Sequence, residues 1–174
     1  MILSGIEIAK RMGKDIIIEP FDENHIGPNS YDLTLDRILE VYEIDECLDI
    51  KKEFKTRQII IPDEGLVLQP NTLYLGSTVE RTKTLNYVPM LEGRSSIGRL
   101  GLSIHVTAGF GDIGFDGRWT LEISCLHPIR IYPNIRICQI YYHKIEGEYV
   151  LYNSKYQNND GIQASRSYLD YKKG

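Results

Sequence analysis

The stretch of sequence that decides the fold class is Trp119–Cys125, WTLEISC, in which apolar and polar residues alternate. A period of two residues indicates a half-buried β-strand, because successive side chains of a strand point to opposite faces of the sheet. The polar face of this predicted strand carries Thr120, Glu122 and Ser124. Taken by itself, Glu122 is most simply interpreted as an exposed strand carboxylate.

Similar β-type runs recur along most of the chain, and turns rich in Gly, Pro, Asn and Asp separate them. These runs are Ser30–Leu35, Arg37–Ile44, Gln58–Ile61, Leu66–Leu68, Thr72–Thr78, Ile129–Tyr132 and Arg136–His143. Many short strands with few helices predict an all-β sandwich, jelly roll or barrel. The sequence contains no internal repeat and no linker, so we expect residues 1–174 to form a single domain.

Two short helices and a polar tail complete the predicted organisation. Residues 4–13 form the first helix, because Ser4 and Glu7 have the spacing of a capping box. The second helix is Ser95–Leu100, a short segment that carries an arginine. Residues 153–174 are polar and contain glycine, which predicts a mobile tail outside the core.

Composition excludes several classes of protein. The net charge of −4 argues against a general nucleic-acid binder, which usually carries a basic face. No apolar run is long enough to span a bilayer, and the first residues lack the features of a signal peptide, so we expect a cytoplasmic protein. The three cysteines include no CxxC pair, which argues against a disulfide framework or a structural zinc site. Cys125 and Cys138 lie in apolar runs and are expected to be buried.

The segment Glu92–Leu102, EGRSSIGRLGL, contains side chains that suit phosphate. Arginine offers a planar fork of donors, serine adds hydroxyl groups, and glycine lets backbone amides approach an anion. The amino end of the predicted helix would add unpaired N–H groups. A solvated basic turn with a serine cap is the alternative, and composition alone slightly favours it.

A second segment, Thr107–Glu122, combines two carboxylates with several glycines. Asp112 and Glu122 stand ten residues apart in the sequence TAGFGDIGFDGRWTLE. A glycine-rich turn between strands allows a ligand to contact the backbone, with a carboxylate on each side. Asp112 has the alternative role of a turn residue that bonds its own backbone, which is the commoner use of Asp in turns.

These segments occur in the order and spacing of a known family. EGRSSIGRLGL is followed by HVTAG, a D-x-G-F-x-G turn, TLE and RICQI, and the whole set resembles the dCTP deaminase branch of the dUTPase superfamily. The opening MILSG, the motif PNSYDLTLD at Pro28–Asp36 and the terminal KYQNNDGIQASR at Lys155–Arg166 are also similar to that family. The resemblance therefore covers the chain nearly from end to end.

The resemblance implies a distorted jelly-roll β-fold of the dUTPase type, assembled as a homotrimer with active sites at subunit interfaces. It implies hydrolytic deamination of dCTP to dUTP and ammonia, with Mg²⁺ bound through the triphosphate and with dTTP as an inhibitor. It also implies that the tail closes over the bound nucleotide.

Each implied role falls on a matching residue. Glu122 is the implied general acid and base, and Ser95 and Arg99 are the implied catalytic residues beside it. The positions implied to bind the substrate are Arg94, Ser96, Val106, Thr107, Ala108, Asp112, Trp119, Thr120, Gln139, Tyr152, Lys155 and Asn159. Zinc deaminases carry the patterns H-x-E and P-C-x-x-C, which this sequence lacks, so we expect deamination without a catalytic metal.

The sequence departs from the family pattern at three positions. Ile113 stands where the family usually has proline, Gly111 replaces an apolar residue, and Asn159 replaces a glutamine. Three alternatives to a deaminase that releases dUTP remain. The closest is a bifunctional enzyme that also forms dUMP and pyrophosphate, in which Asp112 activates the second water molecule. The sequence TAGFGD at Thr107–Asp112 favours this alternative. A pure dUTPase and a nucleotide-sensing module without catalysis are less favoured.

Overall fold

The computed structural model describes residues 1–105 and 107–172, so the predicted base contact of Val106 lies outside the described residues. The helices are α1 (Gly5–Arg11) and α2 (Ser95–Gly98), with short 3₁₀ helices at Glu23–His25 and Ser167–Tyr171. The strands are β1 (Ile16–Glu19), β2 (Tyr31–Thr34), β3 (Ile38–Tyr42), β4 (Thr56–Ile60), β5 (Leu66–Leu68), β6 (Tyr74–Thr84), β7 (Tyr87–Gly93), β8 (Leu102–Ile104), β9 (Asp116–Cys125), β10 (Ile129–Ile131) and β11 (Arg136–Lys144). The predicted all-β fold is confirmed.

The strands form three sheets. The largest has the order β4-β3-β6-β9-β8, with β1 also paired to β6. A three-stranded sheet has the order β2-β11-β7, and β5 pairs with β10 in a third. Strands distant in sequence therefore become neighbours, and β9 lies between β6 and the edge strand β8.

Strand β9 has the alternating burial that its sequence predicts. Every second residue from Gly117 to Cys125 is buried, and the residues between them are partly exposed. Glu122 pairs with Leu75 of β6, but the β6–β9 register shifts between Ser77 and Arg81. The Oγ1 atom of Thr78 accepts a hydrogen bond from the Trp119 amide at 3.0 Å in this irregular part of the ladder. A side chain thus satisfies a main-chain donor that the shifted register leaves without its usual partner.

The hydrophobic core draws on all three sheets. Its fully buried members include Leu33, Leu91, Leu121 and Ile131. Cys125 and Cys138 are buried, as predicted, and burial raises the pKa of both thiols. They contribute apolar volume to the core.

Three strands were not predicted, each for a local reason. β1 reads IIIE and has no alternation that would distinguish a strand from a buried helix turn. β7 contains Pro89, which is tolerated because β7 is an edge strand of its sheet. β8 has only three residues, too few for a period to be recognised.

The tail lies against the sheets over its described length. Asn159 is buried, and its backbone forms a parallel bridge with Gly117 at the start of β9. The Tyr42 hydroxyl accepts a hydrogen bond from the Ser165 amide at 2.9 Å. The tail therefore has ordered contacts that its polar composition did not predict, and its mobility stays a prediction.

Candidate active site

A pocket of about 630 Å³ opens on the polar face of β9. This volume is within the range of small-molecule sites. We call it the Glu122 pocket. Among the predicted site residues, its lining includes Thr107, Ala108, Asp112, Trp119, Thr120, Glu122, Tyr152 and Asn159. The fold thus brings together residues that are up to 52 positions apart in the sequence.

The Glu122 carboxylate is about one-third exposed and faces two polar neighbours. The Thr107 hydroxyl lies 3.3 Å from its Oε2 atom and donates a hydrogen bond to it. The Nδ1 atom of His105 lies 3.7 Å from the same oxygen. A carboxylate held in this way on a rigid strand can exchange protons with a ligand in the pocket.

His105 is a pocket residue to which the sequence assigned no role. It is 8% exposed and has a φ of 52°, an uncommon backbone conformation for a non-glycine residue. Burial lowers the pKa of His105, while the Glu122 charge and the Ala108 main chain oppose that shift. The neutral imidazole is therefore favoured near pH 7. Its place in the HVTAG motif was the only signal in the sequence.

Asp112 begins a tight turn at the edge of the pocket. Its carbonyl oxygen accepts a hydrogen bond from the Phe115 amide at 3.2 Å, and Gly114 has a φ of 88°. A glycine at this third position allows the left-handed conformation that such a turn requires. The turn is therefore formed although Ile113 replaces the usual proline. The Ile113 carbonyl also accepts a hydrogen bond from the Tyr152 amide at 2.7 Å.

The predicted phosphate-binding segment lies elsewhere. We call Arg94–Arg99 the arginine segment; it contains α2, and none of its residues lines the Glu122 pocket. The Nε atom of Arg94 lies 3.0 Å from the Asp32 carboxylate, and its Nη1 atom donates to the Arg136 carbonyl oxygen at 3.2 Å. The side chains that remain exposed are Ser95, Ser96 and Arg99.

Two further predicted residues also lie outside the pocket lining. Gln139 on β11 pairs with Asp32 and Glu92 on the neighbouring strands, and its Oε1 atom accepts a hydrogen bond from Ser30 at 3.4 Å. Lys155 forms an ion pair with Asp170 at 2.5 Å, and this contact raises the pKa of Lys155. Gln139 is therefore associated with the arginine segment, and Lys155 with the end of the tail.

Asn159 lines the pocket, but its amide group is bonded to the protein. The Nδ2 atom donates to the carbonyl oxygens of Gly161 at 2.7 Å and Arg118 at 2.8 Å. A longer contact of 3.3 Å joins it to the Thr120 hydroxyl. The predicted phosphate contact of Asn159 stays a prediction, and the observed contacts connect the tail to β9.

Two aspartates of the motif PNSYDLTLD form ion pairs with arginines, one in the arginine segment and one in the Glu122 pocket, a role that the sequence did not reveal. Asp32 pairs with Arg94, and Asp36 lies 3.0 Å from the Nη1 atom of Arg118, which lines the Glu122 pocket. These ion pairs join residues that are far apart in sequence. Only strand register, which sequence periodicity does not supply, could have predicted them.

Within residues 1–105 and 107–172, no three His, Cys, Asp or Glu side chains cluster closely enough to hold a metal ion. Over the same residues, no helix is long and apolar enough to cross a membrane.

Comparison with known proteins places this chain in a family. The sequence model described as "dCTP deaminase-like" matches residues 2–145. A Clostridium botulinum (strain Alaska E43 / Type E3) protein named "dCTP deaminase, dUMP-forming" is 67% identical over 174 residues, which cover 99% of this chain and 100% of that protein. A Hathewaya histolytica protein of the same name is 64% identical over 172 residues, covering 98% of this chain and 99% of that protein.

The fold also resembles a solved structure. The crystal structure of 2'-deoxycytidine 5'-triphosphate deaminase from Agrobacterium tumefaciens matches with a TM-score of 0.64 and 21% identity. The match covers 81% of this chain and 47% of that one, so the chain spans about half the length of this structural relative. At this identity the likeness concerns the fold alone, whereas the family follows from the sequence matches. The chain belongs to the dCTP deaminase-like family.

Proposed function

We propose that this chain hydrolyses dCTP with two molecules of water to dUMP, diphosphate and ammonia. Of the two products expected from the sequence, dUTP or dUMP, the names of the relatives favour dUMP. The observation that carries the proposal is that Glu122 and Asp112 line one pocket of nucleotide size. One carboxylate is thus available for the base and another for the phosphate chain.

Glu122 performs the deamination in this proposal. It takes a proton from a water molecule that adds to C4 of cytosine, and then delivers protons to N3 and to the departing ammonia. The 3.3 Å hydrogen bond from Thr107 supports this role because it orients the carboxylate. His105 lies beside the Glu122 carboxylate, and its lowered pKa favours the neutral imidazole, so it adds no positive charge there. Backbone groups near Ala108 and Trp119–Thr120 read the base edge.

Asp112 acts in the second hydrolysis. Its carboxylate activates or orients the water that attacks the α-phosphorus atom, and the bond to the bridging oxygen breaks to release diphosphate. Its location in a tight turn at the edge of the same pocket supports a separate role. Mg²⁺ enters on the triphosphate of the substrate, since phosphate oxygens are ligands that Mg²⁺ prefers.

A second copy of the chain completes the site. Ser95 and Arg99 are expected beside Glu122, yet they are exposed and lie outside the Glu122 pocket of their own chain. A homotrimer with sites at its interfaces would place the arginine segment of one chain against the pocket of another. Arg99 would then favour the ionised form of the carboxylate, and Arg94 and Ser96 would contact phosphates. Inhibition by dTTP and a cytoplasmic location stay predictions.

One incubation tests the proposal. The purified protein is given dCTP and Mg²⁺, and dUTP, dUMP and diphosphate are separated and measured together with ammonia. Equal amounts of dUMP, diphosphate and ammonia are the expected result. Accumulation of dUTP without diphosphate would instead indicate an enzyme that deaminates dCTP and releases dUTP. Nucleotide binding without ammonia would instead support the sensing module.

A further inference from the structure

Trp119 is the only tryptophan of the chain and a buried residue of the Glu122 pocket. Both of its N–H groups donate hydrogen bonds to threonine hydroxyls of β6. The main-chain amide donates to the Oγ1 atom of Thr78 at 3.0 Å, and the indole Nε1 atom donates to the Oγ1 atom of Thr82 at 2.8 Å. The same neighbouring strand therefore holds this residue at its backbone and at its ring.

The Thr78 hydroxyl has a fixed orientation. It donates to the Glu80 carbonyl oxygen at 2.8 Å, so a lone pair of its oxygen is left to face the Trp119 amide. Glu80 is fixed in turn, because its buried carboxyl group accepts hydrogen bonds from the amide and the hydroxyl of Thr34, each at 2.9 Å. The irregular part of β6 is thus anchored to β2, which belongs to another sheet.

Gly111 provides the space for the indole ring. A Cβ atom added at residue 111 would overlap the Cη2 atom of Trp119 and would lie 2.8 Å from the Pro89 carbonyl oxygen. Gly111 is also one of the positions at which the sequence departs from the family pattern, because an apolar residue is usual there. The Trp119 ring therefore occupies the volume that a larger residue 111 would need.

The indole ring packs against other rings of the Glu122 pocket. Its centroid lies 4.9 Å from that of Phe115 and 6.2 Å from that of His105, and the His105 ring meets it edge to face. The Nδ1 atom of His105 lies 3.7 Å from the Glu122 carboxylate. One packed side chain therefore separates the Trp119 ring from the proposed acid and base.

The bond from the Trp119 amide to Thr78 also sets the edge of β9 that faces the pocket. The peptide groups of successive strand residues point to opposite sides. Because the Trp119 amide points to β6, the N–H and C=O groups of Thr120 point to the other side of β9. There β8 pairs with Ile123–Cys125, and Thr120 lies past the end of β8 and lines the pocket. The Thr120 main-chain groups are thus placed to meet a ligand.

We propose that Thr78 and Thr82 are positioning residues, which hold Trp119 at both N–H groups and thereby fix the Thr120 main-chain edge against the base. The role in catalysis rests on the proposed deaminase function. A shift of this edge would move C4 of cytosine relative to the Glu122 carboxylate, and catalysis is sensitive to small errors of this kind. Neither threonine touches the reacting atoms in this role.

The test removes one hydroxyl at a time from the full chain. Thr78→Val and Thr82→Val keep the branched shape and lose the acceptor, whereas Thr78→Ser and Thr82→Ser keep the acceptor. Thr84→Val is the matched control. Thr84 is also a buried threonine of β6, but its hydroxyl bonds the main chain of Tyr87 in the turn between β6 and β7.

The first measurement is hydrogen exchange, followed by NMR on protein that contains ¹⁵N-labelled tryptophan. Since Trp119 is the only tryptophan, its amide and its indole supply all the labelled N–H signals. Thr78→Val should speed exchange of the amide, and Thr82→Val that of the indole, each by about tenfold. The serine variants and Thr84→Val should match the parent.

Parent-like exchange in both valine variants would overturn the inference. Equal acceleration in Thr84→Val would also overturn it, because a general loss of stability would then explain the result. This measurement does not depend on what the enzyme catalyses.

The second measurement is steady-state release of ammonia from dCTP. The value of kcat/KM should fall about tenfold in Thr78→Val and Thr82→Val, and the serine variants should recover it to within about twofold, because they restore the acceptor. Thr84→Val should keep the parent value. Parent-like kcat/KM in both valine variants would contradict a positioning role, and so would an equal fall in Thr84→Val. A parent protein that forms no product would contradict the proposed function instead, and the exchange data would still decide whether the two threonines hold Trp119.

Discussion

The Glu122 pocket and the arginine segment differ in how far one chain completes them. In the pocket, a strand, a turn and the tail surround the carboxylate, and Glu122 already has the Thr107 hydroxyl beside it. In the arginine segment, Arg94 is fixed by Asp32, but Ser95, Ser96 and Arg99 are exposed. The difference teaches that the carboxylate half of the proposed site is formed within one chain, while the cationic half is exposed and would meet a partner copy only in the proposed homotrimer.

Removing the Glu122 acid should have the largest effect. Glu122→Gln should lower the rate of ammonia release by about a thousandfold, because the amide cannot exchange protons with the attacking water. Dissociation constants for dCTP, measured by calorimetry, should change little. Glu64→Gln alters an exposed carboxyl in a turn and serves as control. Deamination that survives in Glu122→Gln would show that the Glu122 pocket is not the site of the reaction.

Complementation between two inactive variants tests whether the two regions meet across an interface. Arg99→Ala alone should lose about a hundredfold in activity because the charged partner of the carboxylate is missing. Co-assembly of Arg99→Ala with Glu122→Gln chains in equal amounts should restore activity to about a quarter of the sites. No recovery in mixed assemblies would show that each chain uses its own arginine segment.

In the proposed function, two residues of the Glu122 pocket serve two different reactions. Asp112→Asn should reduce diphosphate release by about a hundredfold while ammonia release continues, because the amide cannot activate the second water. Product separation should then show accumulation of dUTP. Equal loss of both products would mean that Asp112 supports the fold of the pocket instead of one chemical step.

A smaller effect is expected from loosening the arginine segment. Asp32→Asn should raise KM for dCTP about threefold, because Arg94 and Arg136 both lose a charged partner. The control is Asp63→Asn, which removes an ion pair with Arg37 on an exposed turn. Equal KM values in the two variants would mean that the position of Arg94 does not depend on Asp32.

The smallest expected effect is on how the free energy of unfolding depends on pH. Burial holds the pKa of His105 below its ordinary value of 6.5, so the unfolded chain binds a proton more readily than the folded one. The contribution of neutral His105 to stability is therefore complete above pH 6.5 and is lost as the pH falls through the lower folded pKa. His105→Asn should reduce this dependence, by less than about 1 kcal/mol in the free energy of unfolding. Denaturant titrations at pH 7.5 and pH 5.5 would measure the free energy of unfolding of both proteins. An equal difference between the two pH values in His105→Asn and in the parent would contradict this prediction.

Sequence periodicity predicted much of the fold and less of the site. Alternation gave β9 its correct faces, whereas β1 has a continuous apolar run and β8 is too short for periodicity. The chemistry of EGRSSIGR was readable because its residues are adjacent. The pairs Asp32–Arg94 and Asp36–Arg118 depend on how the strands are aligned, and local sequence does not determine that alignment. The particular contacts between the tail and β9 were not predicted, because hydrogen bonds to main-chain oxygens require no recognisable side-chain pattern.

The pairing of the tail with β9 has a consequence for solubility. While residues 158 and 159 are paired, they cover the edge of β9 at Asp116–Arg118. An uncovered strand edge can pair with another molecule and begin aggregation. Here the uncovered edge would be short and would present Asp116 and Arg118, whose charges oppose such pairing. If the tail leaves β9, those two charged residues would oppose the joining of neighbouring molecules into fibres.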